Sequence, residues 1–124
     1  MNISKRIHNL RSKFAEQEID AFLISKPENL CYLSGCNGLE GFLLITEADC
    51  VTVTDSRYIE YASQQSPGFT IFQINGKMTE WLPFLFEGRS IKHLGFESNH
   101  LTYCIYQQLN SILKDLSVDL KPLN

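Results

Sequence analysis

Three glycines at three-residue steps, Gly35, Gly38 and Gly41, are the first feature of this chain that could do chemistry, because a glycine-rich loop can cradle a phosphate on its backbone N–H groups. Their context argues against it. A phosphate loop follows a strand and opens a helix, so that the helix N-terminus faces the anion. Here a helical turn precedes the glycines, a strand-like apolar run follows them, and no Gly-Lys-Ser/Thr is present. They read as a loop needing positive φ before the chain enters a sheet, and as one whose backbone could approach a ligand closely. Metal binding needs convergent His, Asp, Glu or Cys. Glu97 with His100 comes nearest to a ligand pair, but it lies between a strand and a helix cap. The other acids are scattered: Glu16, Glu18 and Asp20 border the first helix, Glu47 and Asp49 lie in a turn, and Asp115 and Asp119 flank the last helix. Ser56 follows Asp55 with no histidine nearby, and only His8, His93 and His100 could complete a triad in space. Cys31 or Cys36 would need a lowered thiol pKa to act as a nucleophile, and the sequence shows no cause for one. No catalytic residue and no metal ligand is assigned.

The elements that would position these residues follow from periodicity and punctuation. Ile3, Ile7, Leu10 and Phe14 form one apolar face opposite Lys5, Arg6, Arg11 and Lys13, an amphipathic helix. Asp20 to Ile24 is a short apolar run without alternation, as in a strand covered on both faces. Ser25, Pro27 and Glu28 read as a capping box with proline in the first turn, opening a helical segment that carries Leu30 and Leu33 inward and stops at Ser34-Gly35. Gly41–Thr46 and Cys50–Thr54 read as a hairpin joined by Glu47-Ala48-Asp49. Asp55 stands where it would cap a helix running to Gln65, which Ser66-Pro67-Gly68 ends. Phe69–Ile74 is the next strand. Met78–Phe86 is an apolar helix with Pro83 near its first turn, Trp81 read as core with an exposed interface anchor as the other reading, and Gly88 as its stop. Ile91–Phe96 is a further strand. Thr102 caps a helix with Ile105, Leu109, Ile112 and Leu116 as its inward row, and Val118–Leu120 ends the series. Strands alternating with helices give an α/β domain with a mixed sheet covered by helices on both faces, three layers in all.

Composition sets bounds. A chain of 124 residues, 44% hydrophobic and 20% charged, suits one globular domain, and folding at this length buries roughly two thirds of the unfolded surface. The 11 Lys and Arg against 14 Asp and Glu give a net charge of −3, so nucleic acid and anionic membranes lack their usual electrostatic attraction. There is no apolar leader and no run long enough to span a bilayer. Cys31, Cys36, Cys50 and Cys104 form no C-x-x-C pair and read as reduced thiols of a cytoplasmic protein. The whole of 1–124 reads as one domain, with Lys121-Pro122-Leu123-Asn124 expected to be a cut rather than a natural end.

Three ordered segments carry a family resemblance. Glu28-Asn29-Leu30-x-Tyr32-Leu33-Ser34-Gly35 is the first. Asp55-Ser56-Arg57-Tyr58-x-Glu60-x-Ala62 is the second. Gly95-Phe96-Glu97-Ser98 followed by Leu101-Thr102-Tyr103 is the third. Together they resemble the N-terminal domain of the prolidase, Xaa-Pro aminopeptidase and creatinase family. The resemblance implies a ribonuclease-H-like domain, non-catalytic itself, followed by a pita-bread domain beyond Asn124. That second domain would bind two divalent ions, Mn²⁺ or Co²⁺, through two Asp, one His and two Glu, and activate water against the bond before proline. No cofactor is expected in this chain. The implied partners are its own catalytic domain, a second copy in a full-length homodimer, and a proline-containing peptide. Asn29, Tyr32, Gly35, Asp55, Arg57, Tyr58 and Glu97 are implied as structural motif residues. The loop Cys36, Asn37, Gly38, Leu39, Glu40 is the implied contributor to the substrate mouth, with Cys36-Asn37 departing from the family's usual Phe-x. Two other readings share the fold: a protein- or peptide-binding relative that has lost catalysis, and a creatine-type amidinohydrolase.

Overall fold

The computed structural model describes residues 3–123; residues 1, 2 and 124, which the one-domain reading includes, lie outside the described residues. Six strands form one sheet in the order β4-β3-β2-β1-β5-β6. They are β1 Ala21–Ile24, β2 Phe42–Thr46, β3 Cys50–Thr54, β4 Thr70–Gln73, β5 His93–Glu97 and β6 Asp119–Leu123. The β2 strand is antiparallel to both neighbours, and the β1–β5, β5–β6 and β3–β4 pairs are parallel. The expected hairpin is β2–β3. Through Leu123 the tail read as a cut is the edge strand β6, where Lys121 and Pro122 blunt an otherwise open edge.

Side-chain alternation divides the core between two helical layers. Ala21, Leu23, Leu44, Val51 and Val53 face α5 (Met78–Phe86) and α6 (Tyr103–Asp115). Ile24, Leu43 and Ile45 face α1 (Ile3–Arg11), α2 (Phe14–Gln17) and α3 (Pro27–Ser34). The short α4 (Ile59–Gln65) covers the β3–β4 side with Ala62. The three-layer α/β arrangement expected from the sequence is therefore the fold. Trp81 is buried between the rings of Phe42 and Phe72, with centroids 6.3 and 6.2 Å away, so it is core. The four cysteines are free thiols.

Local expectations shift in five places. The first amphipathic stretch breaks after Arg11, where the Ser12 hydroxyl donates to Asn9 O at 2.7 Å and competes with the helical ladder; Phe14 is nonetheless buried. Pro83 lies in the second turn of α5, not the first. Leu116 is half exposed just beyond α6, and Leu113 takes the inward position beside Leu109 and Ile112. Ser25 does not cap α3: Lys26 is the N-cap residue without a side-chain cap bond, and Glu28 is exposed, 3.6 Å from Lys26 Nζ. Asp55 opens a turn rather than α4, which starts at Ile59 after Tyr58. Thr102 caps α6 as expected, its Oγ1 accepting from Ile105 N at 3.2 Å.

Candidate functional site at the carboxyl end of the sheet

Each of the three motif segments follows a parallel strand: α3 and its loop follow β1, the Asp55 turn follows β3, and Glu97-Ser98 ends β5. Parallel strands end on the same side, so residues tens of positions apart meet at one end of the sheet, the usual place for function in open α/β folds. Leu123 ends there too, its carbonyl accepting from Ser98 N and Ser98 Oγ, both at 2.9 Å.

The loop of residues 35–41 is tied at nearly every step. Gly35 ends α3 in the left-handed region at φ +80°, its N–H donating to Cys31 O at 2.8 Å. Ser34 Oγ donates to Leu30 O at 2.6 Å and accepts from Cys36 N at 3.0 Å. Ser66 Oγ, at the end of α4, donates to Ser34 O and sits 3.1 Å from Cys36 Sγ. Tyr61 OH donates to Asn37 O at 2.7 Å, and Thr54 Oγ1 to Glu40 O at 2.6 Å. At Gly41, φ is +136° and a Cβ would land on Val53 O, so β2 enters the sheet only with glycine there. The positive-φ loop expected from the glycine spacing is what forms, at Gly35, Gly38 and Gly41 alike.

Burial sorts the five loop candidates. Cys36 and Leu39 are buried against Ala62 and anchor the loop; Asn37, Gly38 and Glu40 are exposed. Arg57 reaches across: its Nη2 lies 3.1 Å from Glu40 Oε2 and 2.8 Å from Asp55 Oδ2, and its Nε donates to Asp55 Oδ1 at 3.1 Å. Asp55 Oδ1 also accepts from Arg57 N at 3.0 Å, a local turn that explains why the carboxylate is not free to cap α4. The hydrogen bond from the Arg57 side chain holds the Asp55 carboxyl below its ordinary range, and the same bond keeps Arg57 still more firmly charged. The Arg57 guanidinium also stacks 5.2 Å from the Tyr58 ring.

Glu97 is the one buried acid among the described residues, and it is a structural hub. Its Oε1 accepts from Ser25 N at 2.6 Å and Lys26 N at 2.7 Å, and its Oε2 from the Asn29 side-chain amide. The job given to Ser25 and Glu28 by the sequence is done by a carboxylate on β5. Ser25 Oγ instead meets His100 Nδ1 at 2.9 Å. Tyr32 stands half exposed on α3 beneath the Arg6 guanidinium, 4.4 Å from its centroid. Sequence reasoning missed Arg6 here, and also Asp20, whose Oδ2 accepts from Lys92 N at 2.7 Å and His93 N at 2.9 Å and pins the entrance of β5. Ser56 is exposed beside Arg57, and no histidine is hydrogen-bonded to it among the described residues.

A mixed sheet between two helix layers, with its motif-bearing loops gathered at one end, defines an α/β domain of the creatinase and prolidase kind. The chain belongs to that family: the Creatinase/Prolidase N-terminal domain matches residues 6–124. It is 33% identical over 110 residues to the uncharacterized peptidase YqhT of Bacillus subtilis (strain 168), over 89% of this chain and 31% of that protein. The Xaa-Pro dipeptidase from Bacillus anthracis superposes with a TM-score of 0.88 at 30% identity, over 99% of this chain and 34% of that one. The N-terminal domain of the cytoplasmic peptidase PepQ from Mycobacterium tuberculosis H37Rv gives a TM-score of 0.85 at 31% identity, over 97% and 93% of the two chains. The chain thus spans about a third of the length of the first two peptidases. Among the described residues no helix is long and apolar enough to cross a membrane.

Proposed function

We propose that this chain is the non-catalytic N-terminal domain of a cytoplasmic, metal-dependent Xaa-Pro peptidase of the dipeptidase or aminopeptidase type, whose catalytic domain follows in the sequence. The observation that carries the reading is the near-complete superposition on about a third of an Xaa-Pro dipeptidase. In the parent enzyme this domain shapes the mouth of the active site and supplies dimer contacts. Asn37 and Glu40 are the loop side chains available to a substrate, with Gly38 leaving room between them. Cys36, Leu39, Tyr61 and Thr54 hold that loop still, which is what a wall must do if it is to orient a peptide without losing binding energy to loop ordering. Leu123, at the end of β6, lies at the same end of the sheet, its carbonyl accepting from Ser98.

The Mn²⁺ or Co²⁺ pair of the full enzyme has no fit here. Among the described residues no three His, Cys, Asp or Glu side chains converge as ligands, and the oxygens of Glu97 are occupied by Ser25, Lys26 and Asn29. The ions belong to the domain beyond this chain, and no chemical step is assigned to residues 1–124.

The test is kinetic. The parent protein with Mn²⁺ is expected to cleave an Xaa-Pro peptide, while the purified 124-residue chain gives no turnover. In the parent, Asn37→Ala and Glu40→Gln are expected to change KM or kcat for that peptide. Turnover by the isolated chain refutes the non-catalytic assignment, and unchanged kinetics in both variants remove the loop from the mouth. A parent sequence lacking two Asp, one His and two Glu downstream would make this a binding domain instead.

A further inference from the structure

We propose that the cleft between α1 and α3, away from the glycine loop, binds a small organic anion: a molecule with an apolar body and a carboxylate or phosphate head. The cleft encloses about 430 Å³, within the usual range for small-molecule sites. Its floor is apolar, with Phe22 and Ile24 of β1 beneath and Leu10 of α1 at the side. Phe22 sits on a central strand yet is only half buried, because the two helices leave this part of the sheet uncovered.

The rim has the opposite character. Arg6 and Lys13 project from α1, Lys26 from the start of α3, and Asn9 and Asn99 add amide groups. Three cations thus line one cleft in a chain whose net charge is −3. The single acid in the lining is Glu97, and its oxygens are already committed to the backbone N–H groups of Ser25 and Lys26 and to the Asn29 amide. Lys26 has only a 3.6 Å contact with the exposed Glu28, and Lys13 has no ion pair among the described residues. Arg6 is oriented by donating from Nη1 to Tyr32 O at 2.7 Å and by stacking on the Tyr32 ring, while its Nε is buried without a hydrogen-bond partner. A guanidinium held in this way presents a fixed positive charge at the rim, where an anionic head group would be attracted to it. Apolar floor and cationic rim, with the one lining carboxylate already committed, together specify an amphipathic anion rather than a cation or a neutral sugar.

The test uses the 124-residue chain itself; a related N-terminal domain is known as a crystal structure on its own, over nearly the same span. The ¹⁵N-labelled protein is titrated with 4-methylpentanoate, with inorganic phosphate, and with the uncharged 4-methylpentanamide. Saturable amide shifts confined to residues 6–13, 22–29 and 97–99 are expected with the carboxylate. Lys13→Glu, an exposed position whose change leaves the core intact, should weaken binding by about fivefold or more through charge reversal, and Asn99→Asp should act in the same direction. Phosphate competing for the same shifts supports the shared head-group chemistry, and whichever anion binds more tightly assigns the source. No saturable shift, equal binding of the amide, or wild-type affinity in both variants overturns the proposal.

Discussion

Replacing Glu97 tests the central structural claim, that one carboxylate at the end of β5 holds the start of α3 and thereby aims the loop that follows it. The residue is 6% exposed and takes two backbone N–H groups at 2.6 and 2.7 Å plus the Asn29 amide. A hydrogen bond to a charged group contributes about 1.5–3 kcal/mol. Ser25 and Lys26 are half buried, so the low end applies to each, and the exposed Asn29 amide can turn to water at little cost. Glu97→Ala is then expected to destabilise the fold by about 3–4 kcal/mol. Glu97→Gln keeps one oxygen for the two backbone donors but sets an NH₂ against that of Asn29, for an expected loss of about 1–2 kcal/mol. At this size, 1 kcal/mol corresponds to roughly 3–5 °C in Tm, so the two variants should melt about 9–20 °C and about 3–10 °C below the parent chain. Both should still fold, since a domain of this length has on the order of 6–18 kcal/mol in hand. Urea unfolding at neutral pH, with the m-value checked for constancy, measures the difference. A Glu97→Ala loss under about 1 kcal/mol, or a Glu97→Gln loss as large as that of Glu97→Ala, refutes the reasoning.

Three further outcomes are expected. Gly41→Ala should cost about 2–4 kcal/mol, because φ of +136° and contact with Val53 O act together, whereas Gly38→Ala, at φ +79° with open space around it, should cost about 1 kcal/mol; urea midpoints for the pair decide it. Asp55 has a lowered folded pKa, so its contribution to stability is present above the ordinary aspartate value of about 3.9 and is lost as pH falls through the lower folded value; NMR titration should place its midpoint below that of a free aspartate, and Arg57→Gln should raise it. Thiol labelling of the native chain should find exposed Cys104 first. Cys36 should react only on unfolding, and Cys50 slowly, because burial pushes its thiol pKa up against the opposing pull of Arg11, whose Nη2 lies 3.3 Å from the sulfur; rapid labelling of Cys36 in the folded protein contradicts the packing described for the loop.

The parts legible in the sequence are those fixed by near neighbours. Short apolar and β-rich runs between turn residues located the six strands, and a hydroxyl three residues from its amide identified Thr102 as a cap. The hairpin followed from two β-rich runs and a polar turn. What sequence alone could not supply is competition from distant residues. Ser25 and Glu28 satisfy every local rule for a capping box, yet Glu97, some 70 positions away, reaches the same amides with a full charge. Asp55 has the right residue type for a cap, but Arg57, two positions on, claims both of its oxygens first. Leu116 continues an inward row by spacing alone; the helix ends at Asp115, and the following turn carries Leu116 outward. Strand order was equally hidden, since β1 pairs with β5 across the 68 residues between Ile24 and His93. In the site, Gly35, Gly38 and Gly41 were legible because backbone conformation is a local property, whereas the burial of Cys36 and Leu39 depends on α4 packing over them.

One topological choice links these observations. In this sheet only β2 runs against the rest, and it does so because a short loop returns the chain from α3 directly beside β1. That reversal forces the glycine loop to begin beyond the carboxyl end of β1 and to finish at the amino end of β2, so both of its ends lie at the same end of the sheet. The β3 strand then rises back to that end and delivers Asp55 and Arg57 to Glu40, and β5 delivers Glu97 to the start of α3. A parallel crossover in place of β2 would need a helix between the strands and would leave the loop without Thr54 and Val53 alongside it. The loop's rigidity is therefore a consequence of strand direction as much as of the glycines. An insertion that lengthened residues 35–41 would keep the sheet register, because Phe42↔Val53 and Leu43↔Ile24 fix it independently. It would release Asn37 and Glu40 from Tyr61 and Arg57. Such a variant separates the fold from the loop's placement: a modest loss of Tm with the sheet intact, together with altered parent kinetics, is the result that strand direction predicts.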